Sequence, residues 1–187
     1  MKNLIKITSS LFFLIAPALS QASSSEAEFF KSLKALCGQS YIGDTVFPDD
    51  PDHAFANKAL IMKVKHCDKN EVRIPFQVGE DKSRTWVISL TEQGLLLKHD
   101  HRHKDGTPDK ITMYGGYSDK KGSPLIQSFP ADKHTSNLLP EASTNVWTLE
   151  IKPESLEFVY SLTRHGEPRY KAEFSISPPL KPSDKKD

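Results

Sequence analysis

The sequence has few cysteines, almost no net charge and no long apolar run after its first residues. These shortages argue against certain partners and against a membrane-spanning segment. Lysine and arginine number 25 against 24 aspartate and glutamate residues, so no excess of charge favours nucleic acid or an anionic membrane surface as a partner. No segment after the first 22 residues is apolar enough to cross a bilayer. Nucleophile elbows, zinc-protease motifs and phosphate-binding glycine loops are also absent from the sequence. The sequence therefore names no cofactor, and an enzymatic activity stays uncertain because no motif supports it.

The first 22 residues have the pattern of a secretory signal peptide. Lys2 and Lys6 precede an apolar core at 11–16 that is too short to span a bilayer, and Ser20-Gln21-Ala22 is a small-x-small cleavage site. No cysteine directly follows the expected cut, so a lipid anchor is not expected. We therefore expect export, to the periplasm or out of the cell, as a monomer without a transmembrane segment.

Only two cysteines are present, Cys37 and Cys67, and both lie in the part expected to be exported. In an oxidising compartment an isolated pair most simply forms a disulfide. A redox or metal-binding pair would instead have the close spacing of a C-x-x-C motif, which these two residues lack. The sequence therefore predicts a Cys37–Cys67 disulfide.

One helix is predicted near the start of the mature chain. Phe29, Phe30, Leu33 and Leu36 recur at helical spacing, and Gly38 follows where a helix would end. The apolar stripe favours packing of this helix on a sheet or across one end of it.

The rest of the chain alternates apolar and polar residues at the period of a β-strand, with short turns between the segments. Such short turns exclude parallel crossovers, and closure into a barrel removes exposed edges. We therefore predict an all-β fold: an antiparallel up-and-down barrel of about nine or ten strands with one N-terminal helix. Pro75, within one strand, predicts an edge, bulge or bend there.

The predicted strands are Ser40–Phe47, Asn57–Cys67, Glu71–Gly79, Arg84–Leu90, Gly94–His103, Lys110–Tyr117, Ser123–Phe129, Thr144–Ile151, Leu156–Leu162 and Tyr170–Ile176. The predicted organisation is a signal peptide (1–22), a single β-barrel domain (23–178) and a disordered polar tail (179–187).

Two resemblances accompany this pattern. A helix that leads through Leu36–Gly43 into a first strand and a meander resembles the start of lipocalin-like (calycin) barrels, many of which bind small apolar ligands or haem. Tyr41 stands near the position of the tryptophan that those barrels have in their first strand. The mature chain also resembles a group of exported bacterial proteins of unassigned activity. The phrases that carry this second resemblance are Arg84-Thr85-Trp86, Lys98–Pro108, Tyr114-Gly115-Gly116 and Arg164–Arg169.

A row of histidines is the feature with the most chemical content. His99, His101 and His103 occupy alternate positions of one predicted strand, on the same face as Leu95 and Leu97. If the apolar row faces the barrel interior, the histidines continue it toward one end. They would then be in position to contact a bound ligand.

Imidazole is also a common metal ligand, so a metal site is an alternative for this row. Three alternate strand positions span about 13 Å, too far for one ion. A site would therefore combine two of the histidines with a residue from elsewhere, such as His134, Asp109 or Glu150. A third interpretation is that the row is simply the exposed polar end of a hairpin.

Arg84 and Trp86 share a face of the preceding strand. A buried cation needs an anion or a stacked ring, so an inward-facing Arg84 would anchor a carboxylate or phosphate in a cavity. Alternatively, Arg84 lies at a strand end and pairs with a neighbouring acid.

The leading functional hypothesis is that the barrel binds a small ligand. The predicted ligand-binding residues are Arg84, Trp86, His99, His101 and His103, and the candidate metal ligands are His99, His101, His103 and His134. One alternative is a metal-binding protein or metal-dependent enzyme that uses the histidine row. A second alternative is a structural or partner-binding envelope protein.

Overall fold

The structure is a computed structural model that describes residues 24–48 and 50–177. The predicted signal peptide and the predicted polar tail lie outside the described residues. In chain order the elements are α1 (Ser24–Ala35), β1 (Ser40–Phe47), β2 (Leu60–Lys63), β3 (Lys65–Cys67), β4 (Glu71–Val78), β5 (Asp81–Thr91), β6 (Gly94–His101), β7 (Tyr114–Tyr117), β8 (Ile126–Pro130), α2 (Lys133–Leu138), a 3₁₀ helix (Pro140–Ala142), β9 (Val146–Lys152), β10 (Glu157–Arg164) and β11 (Glu167–Ser175).

The strands form one antiparallel sheet that curls into a nearly closed barrel. Its order is β7-β6-β5-β4-β2-β1-β11-β10-β9-β8, with the short β3 beside β4. Each strand pairs with its neighbours in this order, and the last strand in the chain, β11, returns to pair with β1. At this junction Gly43 has no side chain, and a Cβ there would overlap the Phe174 ring and the Glu173 carbonyl oxygen. The predicted antiparallel barrel is confirmed.

The barrel's seam lies between β7 and β8. Two backbone hydrogen bonds of 2.9 Å cross it, from Asp119 N to the Ser128 carbonyl and from Asp132 N to the Gly115 carbonyl. The two strands approach so closely that a Cβ on Gly116 would overlap the Pro130 carbonyl oxygen. The seam is therefore held by a few specific contacts rather than by a full ladder.

Helix α2 fastens the β7 side of the seam. The buried Thr135 hydroxyl donates to the Gly115 carbonyl and accepts from the Gly115 N–H, at 2.7 Å in each case. Asp132 caps α2 by accepting from Thr135 N at 2.8 Å and also pairs with Lys98 of β6. Helix α2 therefore ties β7 and β6 together beside the seam.

Two strand predictions need correction. The segment predicted as one strand over Asn57–Cys67 is divided at Val64, whose N–H and carbonyl pair with Gln39 and Gly38 instead. Pro75 of β4 lies opposite this break, between the residues that pair with β2 and those that pair with β3. Proline has no N–H to donate to a neighbouring strand. The interruption expected at Pro75 therefore falls in the partner of β4, as the break between β2 and β3, and Pro75 does not lie at a sheet edge.

The second correction concerns the hairpin that carries the histidine row. Strand β6 ends at His101 and β7 begins only at Tyr114. The intervening residues form a loop in which side chains bond to nearby backbone, such as Asp109 to Ile111 N at 2.8 Å. Met113 completes the loop with a φ of 57°. His103 therefore lies outside β6 and does not continue the row of His99 and His101 as predicted.

One end of the barrel is closed by α1. Phe29, Phe30 and Leu33 of this helix are buried against the strands. Glu26 is fully buried, and its carboxylate accepts from Leu95 N at 2.9 Å and from the Ser118 hydroxyl. The carboxylate thus satisfies donors at the start of β6 and just after β7, where a barrel end would otherwise leave them unpaired.

The predicted disulfide between Cys37 and Cys67 is confirmed. It joins the turn after α1 to β3, with the two Cα atoms 6.3 Å apart. Among the described helices, none is long and apolar enough to cross a membrane.

Candidate functional site

The end of the barrel opposite α1 is hollow. A cavity of about 670 Å³ opens there, among residues near the end of β6 and the starts of β5 and β7. Its floor is a group of three stacked rings in which Trp86 contacts both Phe76, with centroids 4.8 Å apart, and Tyr160, at 4.6 Å. Below this stack Phe158 and Phe174 are fully buried. The barrel is therefore packed in one half and open in the other.

Four of the five predicted ligand-binding residues line this cavity: Arg84, Trp86, His99 and His101. His103 does not, because its loop carries it to the surface, where its Nδ1 is 3.8 Å from the Asp109 carboxylate. The row of alternate inward residues thus ends at His101. The inward direction of Leu95 and Leu97, both fully buried, fixes which way the two remaining histidines point.

His99 is buried and held at both ring nitrogens. Its Nδ1 lies 3.2 Å from the Tyr114 carbonyl oxygen and its Nε2 lies 2.9 Å from the Tyr160 hydroxyl. Because a carbonyl only accepts, Nδ1 carries the proton, and Nε2 of the neutral ring accepts from Tyr160. Burial lowers the pKa of His99 to about 3, even though its hydrogen bond to the Tyr114 carbonyl opposes the shift. His99 is therefore a neutral, fully bonded wall of the cavity.

This geometry bears on the metal alternative. Both nitrogens of His99 are already engaged, and His134 lies exposed on α2. Within residues 24–48 and 50–177, no three histidine, cysteine or acidic side chains gather closely enough to hold a metal ion. His103 and His134 therefore do not join His99 and His101 in the cavity wall.

His101 and Tyr114 form a second polar pair in the cavity wall. The Tyr114 hydroxyl lies 3.1 Å from His101 Nε2, and the Tyr114 ring stacks on His99 with centroids 4.6 Å apart. Burial, and then the charge of Arg84, lower the pKa of His101. Burial also raises the pKa of Tyr114 to about 12. Both groups are therefore neutral near pH 7 and form a hydrogen-bonded pair in the cavity wall.

Arg84 reaches the cavity from the start of β5. Its guanidinium pairs with the Asp81 carboxylate and lies over the Phe55 ring, 5.0 Å from the centroid. Burial alone would raise the pKa of Asp81, but hydrogen bonds from Ser83 and Arg84 hold it at about 2. The arginine therefore has the neighbouring acid expected of a strand-end residue, and it also lines the cavity.

A loop after β1 folds over the mouth. His53 stacks on Tyr170 with centroids 5.5 Å apart, and Phe55 meets the same ring edge to face at 5.5 Å. The Tyr170 hydroxyl is 3.1 Å from the Thr45 hydroxyl, and burial raises the pKa of Tyr170 to about 12. The mouth is thus bordered by rings as well as by charged side chains.

Sequence reasoning missed several residues of this wall, including Tyr114, Trp147 and Tyr160. Register between neighbouring strands could have found the first of them. Trp86 pairs with His99 across β5 and β6, and His99 pairs with Tyr114 across β6 and β7. Directly opposed residues of adjacent strands share a face, so these three form one row around the barrel. Trp147 and Tyr160 come from the far side and meet that row only because the sheet closes.

No family model matches the chain, and no curated protein matches it either. The chemistry of the site therefore rests on its residues: aromatic rings, a neutral network of histidine and tyrosine, and arginines near the opening.

Proposed function

We propose that the protein is an exported binding protein that holds a small, ring-containing molecule in the open half of its barrel. The observation that carries this proposal is the cavity of about 670 Å³, walled by aromatic side chains and open at one end. Ligand pockets of roughly 300–1,000 Å³ with mostly apolar walls and a few placed polar groups are typical of small-molecule sites.

The polar groups in the wall support binding because they are already positioned. The bonds from His99 to the Tyr114 carbonyl oxygen and to the Tyr160 hydroxyl fix the orientation of the His99 and Tyr160 side chains without a ligand. A site that is ordered beforehand loses less conformational entropy when the ligand enters. The Cys37–Cys67 disulfide supports the export part of the proposal, since such bonds persist in oxidising compartments.

The chain offers a built-in reporter for ligand binding. It has two tryptophans, Trp86 and Trp147, and both line the cavity. The neutral probe N-phenyl-1-naphthylamine should therefore quench the intrinsic fluorescence as its own emission rises, with saturation at one molecule per chain.

A cavity-filling variant tests whether the probe occupies this site. Ala142 lines the cavity, so Ala142→Phe should weaken probe binding at least tenfold, while Ala35→Phe at the exposed end of α1 should leave it unchanged. Circular dichroism would check that both variants are folded. Absence of saturable binding to the wild type, or equal binding by the two variants, would contradict the proposal. Fractionation of the expressing cells with N-terminal sequencing of the product tests export.

A further inference from the structure

Charge is distributed unevenly in the cavity. Its acidic lining residues, Asp50 and Glu141, are both exposed at the rim, as is Arg169. The two charged lining residues that are partly buried, Arg84 and Arg164, are both cations. A ligand that enters past the rim therefore meets two guanidinium groups, of which that of Arg84 also pairs with the exposed Asp81 carboxylate.

The neutral groups do not offset this charge. Burial lowers the pKa of His99 and His101 and raises the pKa of Tyr114, Tyr160 and Tyr170. At neutral pH these side chains carry no charge, so they neither compete with an anion nor screen the arginines.

Arg84 also has donors to spare. Of its five N–H groups, the Asp81 carboxylate engages Nη1, and among the described residues the guanidinium makes no other hydrogen bond. Arg164 is held in a similar way, since its Nε donates to Asn145 Oδ1 at 2.8 Å. Each guanidinium donates to one partner among the described residues and keeps further N–H groups for an anion.

The Trp86 ring in the cavity floor also favours an anionic ligand with a ring. Trp86 is 2 % exposed and stacks with Phe76 at 4.8 Å and with Tyr160 at 4.6 Å, so we take the edge of its ring as the surface that meets a ligand. Ring edges are the electropositive part of an aromatic side chain and attract π-faces and anions. Arg84 lies two residues before Trp86 and directly opposite Phe76 and His101 on the neighbouring strands, so its charge is next to this floor.

We propose that the ligand is an aromatic anion, a carboxylate or sulfonate attached to a planar ring system, whose anionic group binds Arg84 while the rings lie against the Trp86 edge. This inference rests on the proposed function, because it specifies the ligand of the same cavity. Arg164 supplies the second cation on the path from the rim.

Two matched probes separate this inference from the proposed function. N-phenyl-1-naphthylamine and 8-anilino-1-naphthalenesulfonate have the same rings, and only the second carries a sulfonate. The wild type should bind the sulfonate at least tenfold more tightly, the effect expected of a hydrogen bond to a charged group. Arg84→Gln should remove most of that preference by weakening sulfonate binding about tenfold or more, with the neutral probe changed less than threefold.

Lys152→Gln is the matched control, because it removes one positive charge from β9 near the end of the barrel that α1 closes, away from the mouth. It should leave both affinities unchanged. Arg84→Lys keeps the charge without the planar fork and should restore part of the preference, and it replaces Arg84→Gln if that variant is unfolded by circular dichroism.

The outcomes are distinct. If neither probe binds the wild type, the proposed function fails and this inference fails with it. If both probes bind the wild type with equal affinity, or if Lys152→Gln loses as much sulfonate affinity as the Arg84 variants, the cavity binds ligands but the Arg84 anion site is overturned.

Discussion

His99 makes the stability of the barrel depend on pH in a way that can be worked out. Its pKa is about 3 in the folded protein, lowered by burial, against an ordinary value of 6.5 in the unfolded chain. Because the folded-state pKa is the lower one, the unfolded chain binds more protons between these values. The stabilisation is therefore complete above about pH 6.5 and is lost as the pH falls toward 3.

The magnitude follows from the same two values. One pKa unit corresponds to about 1.4 kcal/mol. At pH 5, about 1.5 pH units below the ordinary pKa of 6.5, the unfolded histidine is almost fully protonated, whereas folded His99 is still neutral. The free energy of unfolding should therefore fall by about 2 kcal/mol between pH 8 and pH 5 from this residue alone.

The assay is urea denaturation at several pH values between 8 and 5, followed by far-UV circular dichroism. His99→Gln keeps a donor and an acceptor but does not titrate, so its unfolding free energy should fall by about 2 kcal/mol less over this range than that of the wild type. His101, whose pKa is also lowered, is present in both proteins and cancels in the difference. His134→Gln on the exposed face of α2 should behave as the wild type. Parallel pH profiles for wild type and His99→Gln would refute the reasoning.

Two further predictions concern the closed end and the seam. Glu26→Ala leaves the buried N–H at the start of β6 without its acceptor, so the free energy of unfolding should fall by about 1–3 kcal/mol in urea denaturation. Gly116→Ala places a Cβ against the Pro130 carbonyl oxygen and should part the seam, with a loss of about 1–3 kcal/mol and faster hydrogen exchange at the Asp132 amide.

Each of these has an internal control. Glu28→Ala, on the exposed side of α1, should change stability by less than about 0.5 kcal/mol. An equal loss in the Glu26 and Glu28 variants would show that helix propensity, not the buried carboxylate, is responsible. For Gly116→Ala, the amides between β1 and β11 should stay protected. Uniformly faster exchange across the whole sheet would contradict a local opening of the seam.

Much of the architecture could be predicted because period-two alternation reports burial directly. Trp86 and Ile88 of β5, and Leu95 and Leu97 of β6, are buried as their spacing predicts. The disulfide could be predicted because only one pairing exists for two cysteines.

The composition of the cavity wall could be predicted only in part. Arg84 and His101 follow from alternation within a strand, whereas Trp147 joins His99, with centroids 5.1 Å apart, only through closure of the sheet. His103 was misplaced because alternation does not state where a strand ends, and β6 ends at His101. Nothing in the spacing of the residues indicates which half of the barrel is packed and which is hollow.

The separation of a packed half from a hollow half allows residues around the cavity to vary while the packed core stays intact. The Phe158 and Phe174 core, α1 and the disulfide lie away from the mouth, whereas Arg84, His101 and Arg164 belong to the mouth. Arg84, His101 and Arg164 lie outside the buried core cluster, so substitutions at these three positions remove few core contacts. A library that varies Arg84, His101 and Arg164 should therefore yield mostly folded proteins, which makes the barrel a scaffold for engineering binding specificities.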